Sequence, residues 1–582
     1  MDERHTPQKP LRLMMLGSAG TGKSKTARSF VQARRMRARR TAPAVVTERV
    51  PGGGVRRVQR SEAAKNEEVR NCCVLAAPTG CASFQLKYGA TTLHRAFGVP
   101  VGYCGPWVHR ESERFQRTRD RMRQAKLFLM DEMSMIGRQM LGKIEFKVQD
   151  VLGREAMDAA RDGVYLGGKD VVLAGDPQQA APIGDDPLYR QGRYQGRARN
   201  KPRHADRTPD NAWSTDKLVQ HGNIVRDTFQ DVVKLRQVHR ISSKKEGLSE
   251  EQQRLYAREA DRFLDVTQGM AQCTWSLDDH AWLKGRNRSV LQMTEKGQAE
   301  LREFENAPLL MDGRKDKVSG EVGADKVNLE RLYQVAADAG KPIASLRAYH
   351  DQKAKNPSKA SEMSADDFRG IANEMHVCEG ARVLLTQNLW VEAGLMNGAM
   401  GTLRGYMWPT GADPHNRDRP DLQAPICVFV EFDNVNLGED EHGRPRSFFP
   451  EDPTRRNWVP IWRQRVSSTM EDNVWRENYP LTLAWALTHW KAQGMTLDRV
   501  RVHLSARTAA VAGIGFVACT RVRHPWDLIF EEDLPEYEHF MRARHTTAFR
   551  ERRRFELRQA VSYTHLRAHE TRHDLVCRLL LE

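Results

Sequence analysis

LRLMMLGSAGTGKSKTARSF, residues 11–30, is the stretch that decides the fold. Its apolar start, residues 11–16, is typical of a buried strand, and the residues after Ser24 have the composition of a helix. Between them stands GxxxxGK[ST], a pattern that binds phosphates in this strand–loop–helix context, where backbone N–H groups and the helix N-terminus face the anion. The predicted phosphate-binding residues are Gly17, Ser18, Ala19, Gly20, Thr21, Gly22, Lys23 and Ser24.

A second apolar run, residues 126–130, is followed at once by Asp131 and Glu132. Open α/β sheets place their ligands at the C-terminal ends of their strands. Asp131 together with Ser24 therefore suits Mg²⁺, and Glu132 suits the base that deprotonates an attacking water. With Lys23 expected at the β- and γ-phosphates, the two segments together predict an enzyme of the α/β class that hydrolyses a nucleoside triphosphate with Mg²⁺.

Three later residues complete the predicted catalytic set. DVVLAGDPQQAAPI, residues 170–183, is a further buried strand with polar residues after it, and Gln179 is placed to sense the γ-phosphate. Arg240 and Arg521 lie far along the chain, where a second domain would supply them to stabilise charge in the transition state. Such a contribution links domain closure to hydrolysis, as a motor requires.

A series of blocks, in order along the chain, resembles the motifs of superfamily-one helicases of the petite-integration-frequency (PIF) type, which are RecD-like. The blocks are GSAGTGKS (17–24), AAPTGCAS (76–83), TTLHRAFG (91–98), DEMSM (131–135), GDPQQAAPI (175–183), LRQVHR (235–240), GARVLLTQNLWVEAGLMNGAMGTL (380–403), PLTLAWALTHWKAQGMTLDRV (480–500) and GIGFVACTRVR (513–523). The resemblance implies two RecA-like P-loop domains with a small wedge insertion and an inserted SH3-like β-barrel.

The resemblance also implies roles for single residues. The implied catalytic residues are Lys23, Glu132, Gln179, Arg240 and Arg521, with Ser24 and Asp131 as magnesium ligands. The implied DNA-contacting residues are Pro78, Thr79, His94, Lys491, Gln493 and Thr496. Two of these have structural alternatives, since His94 is otherwise a core histidine and Thr496 a helix or turn cap.

The implied activity is ATP-dependent translocation on single-stranded DNA, in the 5′-to-3′ direction, by a monomeric motor that unwinds forked duplexes. The implied processes are DNA repair, recombination and telomere maintenance. A helicase domain from a mobile element or a virus fits the same sequence. Two other classes remain as alternatives: a nucleic-acid-binding relic that does not hydrolyse ATP, and an ATPase that clamps DNA without moving.

The sequence departs from the family pattern at several positions. Only Gln8 is available as the glutamine that reads adenine ahead of the phosphate loop, which puts adenine selectivity in doubt. QAAP (179–182) replaces QLPP, and Trp490 stands where motif V carries histidine. In motif VI, Ile514 and Thr520 replace glutamine and serine. None of these changes removes a predicted phosphate or magnesium ligand.

The order of the motifs predicts the domain organisation. The predicted segments are a first RecA-like domain at 1–235, with a basic insertion at 31–71 and a wedge element at about 99–125; a second RecA-like domain at 236–395 and 479–535; the barrel at 396–478; and a charged helix at 536–560. Trp107 and Phe115 are expected to anchor the wedge. The basic insertion is either a solvated loop or an arm that contacts DNA.

The last stretch, VSYTHLRAHETRHDLVCRLLLE (561–582), resembles a translated sequencing-library adapter. Its His565, His569, His573 and Cys577 are spaced like metal ligands on a helix. Because targeting and processing scars are excluded from fold reasoning, the segment is interpreted as an adapter artefact with no metal site.

Composition agrees with a nucleic-acid partner. The chain of 582 residues carries 92 Lys and Arg against 75 Asp and Glu, a net charge of +17, and such an excess attracts polyanions. None of the nine cysteines stands in a C-x-x-C, so zinc and redox sites are not indicated. Without an apolar run long enough for a bilayer, the expected location is intracellular and soluble: the nucleus or mitochondrion if the source is eukaryotic.

Overall fold

The computed structural model describes residues 10–41, 45–49, 55–59, 61–100, 104–192, 213–313, 323–350, 361–363, 365–412, 424–468 and 474–569. The chain divides into two compact units. The first unit comprises Met1–Arg240 and Thr546–Glu582, and the second comprises Ile241–His545. Each unit contains a parallel sheet flanked by helices, so the predicted α/β class is confirmed.

Eight of the described strands belong to the first unit. They are β1 (Arg12–Gly17), β2 (Val45–Arg49), β3 (Val55–Gln59), β4 (Cys73–Ala77), β5 (Thr91–Thr92), β6 (Leu127–Met130), β7 (Asp170–Gly175) and β8 (Asp231–Leu235). Six of them form one parallel sheet in the order β5-β4-β6-β7-β1-β8. Strands β4 and β6 are buried along their whole length, which explains their continuous apolar sequences.

Eight of the described helices accompany this sheet. They are α1 (Lys23–Thr41), α2 (Glu62–Asn71), α3 (Gly80–Leu86), α4 (Leu93–Phe97), α5 (Glu113–Gln124), α6 (Arg138–Leu152), α7 (Arg154–Arg161) and α8 (Thr215–Asp227). Helices α6 and α8 touch backbone to backbone because glycines stand at the contact. A Cβ on Gly142 would lie 1.9 Å from the carbonyl oxygen of Leu218, and a Cβ on Gly222 equally close to that of Arg138.

The predicted basic insertion, residues 31–71, has regular structure. Helix α1 continues to Thr41, strands β2 and β3 form an antiparallel hairpin, and α2 leads back to β4. In α1, Arg34 pairs with Asp170 at 2.5 Å and Arg35 lies over the ring of Tyr88. These two arginines therefore pack against the first unit, whereas other arginines of the same helix are exposed.

The predicted wedge region contains α5 and the turn before it. Trp107 contacts the ring of Phe115 at 5.4 Å between centroids, and its backbone N–H donates to Asp150. Gly98 makes room for the indole, because a Cβ there would lie 2.3 Å from it. Trp107 and Phe115 thus hold this region to the first unit, while residues 101–103 lie outside the described part of the chain.

Fourteen strands are described in the second unit. They are β9 (Leu309–Met311), β10 (Ala344–Arg347), β11 (Tyr349–His350), β12 (Glu374–Val377), β13 (Arg382–Leu385), β14 (Met400–Met407), β15 (Cys427–Phe432), β16 (Trp458–Trp462), β17 (Gln464–Ser467), β18 (Trp475–Asn478), β19 (Leu481–Leu483), β20 (Ala486–Thr488), β21 (Val500–Val502) and β22 (Leu528–Phe530). A parallel sheet in the order β20-β9-β21-β22 is its RecA-like core.

Helices surround this core and connect its strands. They are α9 (Glu250–Gln272), α10 (Leu277–Lys284), α11 (Arg288–Leu291), α12 (Glu295–Arg302), α13 (Ala324–Ala339), α14 (His489–Ala492), α15 (Ala506–Ala509), α16 (Ile514–Cys519) and α17 (Tyr537–Arg542). Asn328 of α13 ties the helix to the sheet, because its side chain exchanges hydrogen bonds with the backbone of Ala486 at 2.8 and 3.0 Å.

The remaining strands of the second unit form antiparallel sheets. Five strands follow the order β16-β15-β14-β13-β19, three follow β11-β18-β17, and β10 pairs with β12. The five-stranded sheet extends beyond the predicted insertion 396–478 on both sides, because β13 pairs with both β14 and β19. The SH3-like character of this region stays a prediction.

A final helix, α18 (Thr547–His569), belongs to the first unit although it follows the second in sequence. The structure therefore replaces the single charged helix predicted at 536–560 with two helices, α17 and α18, in different units. Phe555 of α18 joins the hydrophobic core that contains Met14 and Val232. The adapter-like residues 561–569 continue α18, and 570–582 lie outside the described residues.

The sequence predicted neither a membrane-spanning helix nor a cysteine-based zinc or redox site, and the described residues bear on both expectations. Among them, no helix combines the length and hydropathy needed to cross a membrane. The eight cysteines in this part of the chain are all buried and unbridged.

Candidate functional site

The phosphate loop joins β1 to α1 through a backbone that only glycine adopts easily. Gly20 and Gly22 have φ values of +81° and +82°, in the left-handed region. Gly20 also approaches another segment closely, since a Cβ on it would lie 2.4 Å from the Cβ of Arg240. The sequence GxxxxGK[ST] thus fixes a tight loop over the N-terminus of a 19-residue helix.

Lys23, the first residue of α1, has its ammonium group inside this loop. Nζ donates to the carbonyl oxygens of Gly17 at 2.8 Å and Ser18 at 3.0 Å, and the side chain is buried. The loop's own carbonyls therefore hold the cation where the predicted phosphates would bind.

Ser24 and Asp131 meet although they are far apart in sequence. The Ser24 hydroxyl donates to Oδ2 of Asp131 at 3.1 Å, and Oδ1 of Asp131 accepts the backbone N–H of Glu132 at 2.8 Å. Burial, together with the charge of Glu132, raises the pKa of Asp131 to about 6. Parallel pairing in the sheet brings the end of β6 to the same edge as the phosphate loop.

The donor set fits Mg²⁺, which prefers hard oxygen ligands. Ser24 offers a hydroxyl and Asp131 a carboxylate at one point. Within the described residues, Oε2 of Glu132 and Oε1 of Gln179 are buried and lack a hydrogen-bond partner. Buried oxygens of this kind are costly unless a ligand satisfies them, so the site suits a cation with its water and phosphate ligands.

Glu132 is held in an unusual backbone conformation. Its φ is 53° and its ψ is 51°, values in the left-handed region that non-glycine residues rarely adopt. Such strain clusters at functional sites, where it fixes the direction of a side chain. The role predicted for Glu132, as the base that deprotonates water, stays a prediction.

Sequence reasoning missed Asp176. This carboxylate is 1% exposed, accepts from Nε2 of Gln179 at 3.3 Å and from the backbone N–H of Gln178 at 3.0 Å. Burial raises the pKa of Asp176, and the charge of Lys23 acts in the opposite direction. The signal was present in GDPQQ, where an acidic residue directly follows β7, but the prediction took only Gln179.

Arg240 lies in the first unit, not in the second domain to which the range 236–395 assigned it. The reason is that its segment follows β8 directly and bonds to the phosphate loop: the N–H of His239 donates to the carbonyl of Gly20 at 2.7 Å. The structure thus brings Arg240 beside the loop without any help from the second unit. Its catalytic role stays a prediction.

Arg521 lies in the second unit and points into it. The guanidinium is 1% exposed and donates to the carbonyl oxygens of Val517 at 2.7 Å, Ala492 at 3.4 Å and Met495 at 3.3 Å. In this conformation the arginine supports the segment that contains the predicted DNA-contacting residues of motif V. Its role at the γ-phosphate stays a prediction.

The DNA-contacting residues predicted in the first unit lie at the ends of β4 and β5. Thr79 caps α3, since its hydroxyl accepts the N–H of Ala82 at 3.2 Å, and Pro78 beside it is half-buried. His94, on α4, is also half-buried rather than enclosed in the core. The three residues share one edge of the sheet.

In the second unit, Lys491 and Thr496 are exposed, whereas Gln493 is 1% exposed. Trp490 is half-buried, and the histidine expected at its position is found one residue earlier, as the fully buried His489. Gln8, the candidate adenine reader, lies outside the described residues.

Comparison with known proteins supports the interpretation of the motifs. The model of the PIF1-like helicase family matches residues 61–194. The human ATP-dependent DNA helicase PIF1 is 29% identical over 168 residues, which is 29% of this chain and 20% of that protein. The ATP-dependent DNA helicase PIF7 of Trypanosoma brucei brucei is 23% identical over 484 residues, 78% of this chain and 41% of that protein. The chain thus spans less than half of these two relatives.

Among solved structures, Pif1 helicase from Bacteroides in complex with ADP-AlF3 and ssDNA aligns with 93% of this chain and 95% of that one. The sequence identity is 18% and the TM-score is 0.51. The resemblance inferred from the motifs is thereby confirmed: the chain is PIF1-like in sequence over residues 61–194 and has the fold of the Pif1 helicases.

Proposed function

We propose that this chain is an ATP-driven DNA helicase that moves along single-stranded DNA and unwinds forked duplexes. The observation that carries the proposal is the convergence of Lys23, Ser24, Asp131 and Glu132 at one edge of the first sheet. The direction 5′-to-3′, a monomeric motor, and roles in repair, recombination and telomere maintenance belong to the proposal and rest on the resemblance to PIF-type helicases.

The hydrolytic step follows from the positions of these side chains. The phosphate loop and Lys23 bind the triphosphate. Ser24 and Asp131 would hold Mg²⁺, which would supply charge neutralisation on the phosphates. Glu132 orients a water and accepts its proton, because its buried Oε2 has no other partner among the described residues. Gln179, fixed by Asp176, contacts the phosphate region.

Movement requires the hydrolytic state to alter the grip on DNA. Arg521 links the two in this proposal, since its present partners are carbonyls of motif V. To stabilise the γ-phosphate, its guanidinium must release Ala492 and Met495. Hydrolysis would then change the position of a segment whose exposed Lys491 and Thr496 are proposed to hold the strand.

ATPase measurements with and without oligothymidine test the proposal. We expect single-stranded DNA to stimulate hydrolysis, and Glu132→Gln to reduce turnover by at least about a hundredfold while leaving nucleotide binding intact, because a general base contributes about 10²–10⁴ in rate. Glu113→Gln, an exposed change in the same unit, is the matched control.

Unwinding separates the proposal from its alternatives. A 5′-tailed duplex should be opened by the wild type in the presence of ATP and not by Glu132→Gln. Hydrolysis without unwinding would indicate an ATPase that clamps DNA. DNA binding without any hydrolysis would indicate a relic, and a hydrolysis rate indifferent to DNA would end the motor interpretation.

A further inference from the structure

The start of motif V is joined to the end of a neighbouring strand by a buried histidine–carboxylate pair. His489 is the first residue of α14, and Asp312 follows β9. Strands β20 and β9 are parallel neighbours, with Thr488 opposite Met311, so the next residue of each strand emerges at the same edge of the sheet. Nε2 of His489 lies 3.2 Å from Oδ1 of Asp312.

The hydrogen bonds around the His489 ring show which of its two nitrogens carries the proton. Nε2 also lies 3.0 Å from the carbonyl oxygen of His503. Both neighbours are acceptors, so Nε2 carries a proton and donates. The side chain of His489 is 0% exposed, and within the described residues its Nδ1 has no hydrogen-bond partner.

The carboxylate is anchored on its other side. Oδ2 of Asp312 accepts the backbone N–H of Ser505 at 3.1 Å, immediately before α15. One carboxylate therefore ties together the segments that follow three parallel strands, β20, β9 and β21. Burial acts to raise the pKa of Asp312, but hydrogen bonds from His489, Ser505 and Thr508 outweigh it and lower the pKa to about 2.

We propose that Asp312 and His489 are positioning residues that fix the direction in which motif V leaves the sheet, and so place Lys491 and Thr496 for contact with a nucleic-acid strand. Arg521 holds the same segment from further along, through the carbonyls of Ala492 and Met495. The segment is thus fixed at both ends by buried hydrogen bonds, while Lys491 and Thr496 remain exposed. The contact with a strand rests on the proposed function; the positioning does not.

A histidine that only filled space in the core would not require a hydrogen bond to a carboxylate. Replacement by an aromatic hydrocarbon ring would preserve packing but leave the Asp312 carboxylate buried with one donor fewer, which is destabilising. His489→Phe therefore removes the hydrogen bond with little change in volume. His489→Gln keeps an N–H donor at a similar distance from the backbone and should restore the bond.

Two measurements on the full chain test the proposal. Hydrogen exchange reads the positioning directly, since the amides of Met495 and Leu497 are bonded to the carbonyls of Ala492 and Arg521. Fluorescence anisotropy with labelled oligothymidine reads the consequence. We expect His489→Phe to speed exchange in residues 489–497 and to weaken oligothymidine binding by about tenfold, the size of one charge-assisted hydrogen bond. His489→Gln should stay within about twofold of the wild type.

His280→Phe is the matched control, because His280 is a buried histidine of the same unit whose Nε2 lies 2.8 Å from the carbonyl of Pro535. It should leave exchange in 489–497 and DNA affinity unchanged. Unchanged exchange in His489→Phe, or an equal loss of affinity in His280→Phe, overturns the proposal. If the wild type fails to bind oligothymidine, the proposed function fails, and the exchange measurement still decides the positioning.

Discussion

At the proposed hydrolytic centre, carboxylate side chains outnumber the one buried ammonium group. Asp131 and Asp176 both experience the positive charge of Lys23 and the negative charge of Glu132, and burial raises the pKa of both aspartates. Two buried carboxylates with the charge of Glu132 beside them, against one ammonium group, favour the binding of a further cation. This charge balance is an electrostatic reason to expect the magnesium site, which stays a prediction.

His524, which follows motif VI, should make the stability of the second unit depend on pH. Its ring is fully buried, stacks on Tyr256 at 3.6 Å between centroids, and has Nε2 3.0 Å from the carbonyl oxygen of Tyr256. Burial lowers the pKa of His524 to about 4. Between pH 6.5 and 4 the unfolded chain therefore binds a proton that the folded chain does not, and stability falls as the pH is lowered.

The expected loss across this window is at most about 3 kcal/mol, from 1.36 kcal/mol per pKa unit. Thermal unfolding of the wild type at pH 7.5 and pH 5 measures the part of this loss that falls between pH 6.5 and 5, about 2 kcal/mol. His524→Phe should be less stable at pH 7.5 but less sensitive to pH. His442→Gln, a change at an exposed histidine, should keep the wild-type dependence; equal pH sensitivity in all three proteins would contradict the assignment.

The sequence predicted those site residues that belong to motifs of consecutive residues. GxxxxGK[ST] and the DE pair were recognisable because strand, loop and helix follow each other directly, and the structure brings Ser24 and Asp131 to 3.1 Å. It did not predict that Arg521 points into its own unit or that Arg240 lies beside Gly20. Those positions depend on hydrogen bonds between distant segments, which no local pattern records.

At the scale of elements, the basic insertion 31–71 is a helix end followed by a hairpin. Helix α1 runs on to Thr41 and presents exposed arginines at its end, and the β2–β3 hairpin follows. The family model begins at residue 61, after this hairpin. The sequence offered a solvated loop or a DNA-contacting arm; the arm stays a prediction, motivated by the exposed arginines at the end of α1.

Salt dependence of binding tests the arm. Replacing Arg37, Arg39 and Arg40 by alanine should weaken oligothymidine binding and lower the slope of log K against log salt by about 0.7 for each phosphate that these arginines neutralise. Replacing three other exposed arginines of the first unit, Arg154, Arg161 and Arg550, controls for net charge. An equal change in both triple variants would mean that only overall charge matters.

The antiparallel sheets show why element boundaries are harder to predict than element types. ICVFVEF (426–432) was recognisable as a strand by its alternation, and β15 (Cys427–Phe432) is observed there. The limits 396–478 were not accurate, because β13 and β19 are short apolar segments that motif matching assigned to the RecA-like domain. Pairing partners, rather than composition, decide to which sheet such segments belong.

At the scale of the whole molecule, the first unit depends on residues from both ends of the described chain. Phe555 is 4% exposed and lies 6.5 Å from the ring of Tyr189, while Lys234 donates to the carbonyl oxygen of Glu556 at 3.2 Å. Phe555→Ala should lower the stability of the first unit by about 3–5 kcal/mol, the usual cost of such a cavity. Denaturant unfolding, with loss of nucleotide binding as the signal, measures this change in the free energy of unfolding.

Leu557→Ala, on the same helix, is the control, because Leu557 is 60% exposed. It should change the free energy of unfolding by less than about 0.5 kcal/mol. Similar losses in both variants would mean that α18 does not belong to the core of the first unit.

The return of α18 decides how the protein can be dissected. The unit that contains the phosphate loop is discontinuous in sequence, with 305 residues, Ile241–His545, inserted between its two parts. A recombinant piece that stops at Arg240 would lack Phe555 and leave the surface around Met14 and Val232 uncovered. A recombinant form of the first unit alone would instead need α18 joined by a short linker to the segment that follows β8.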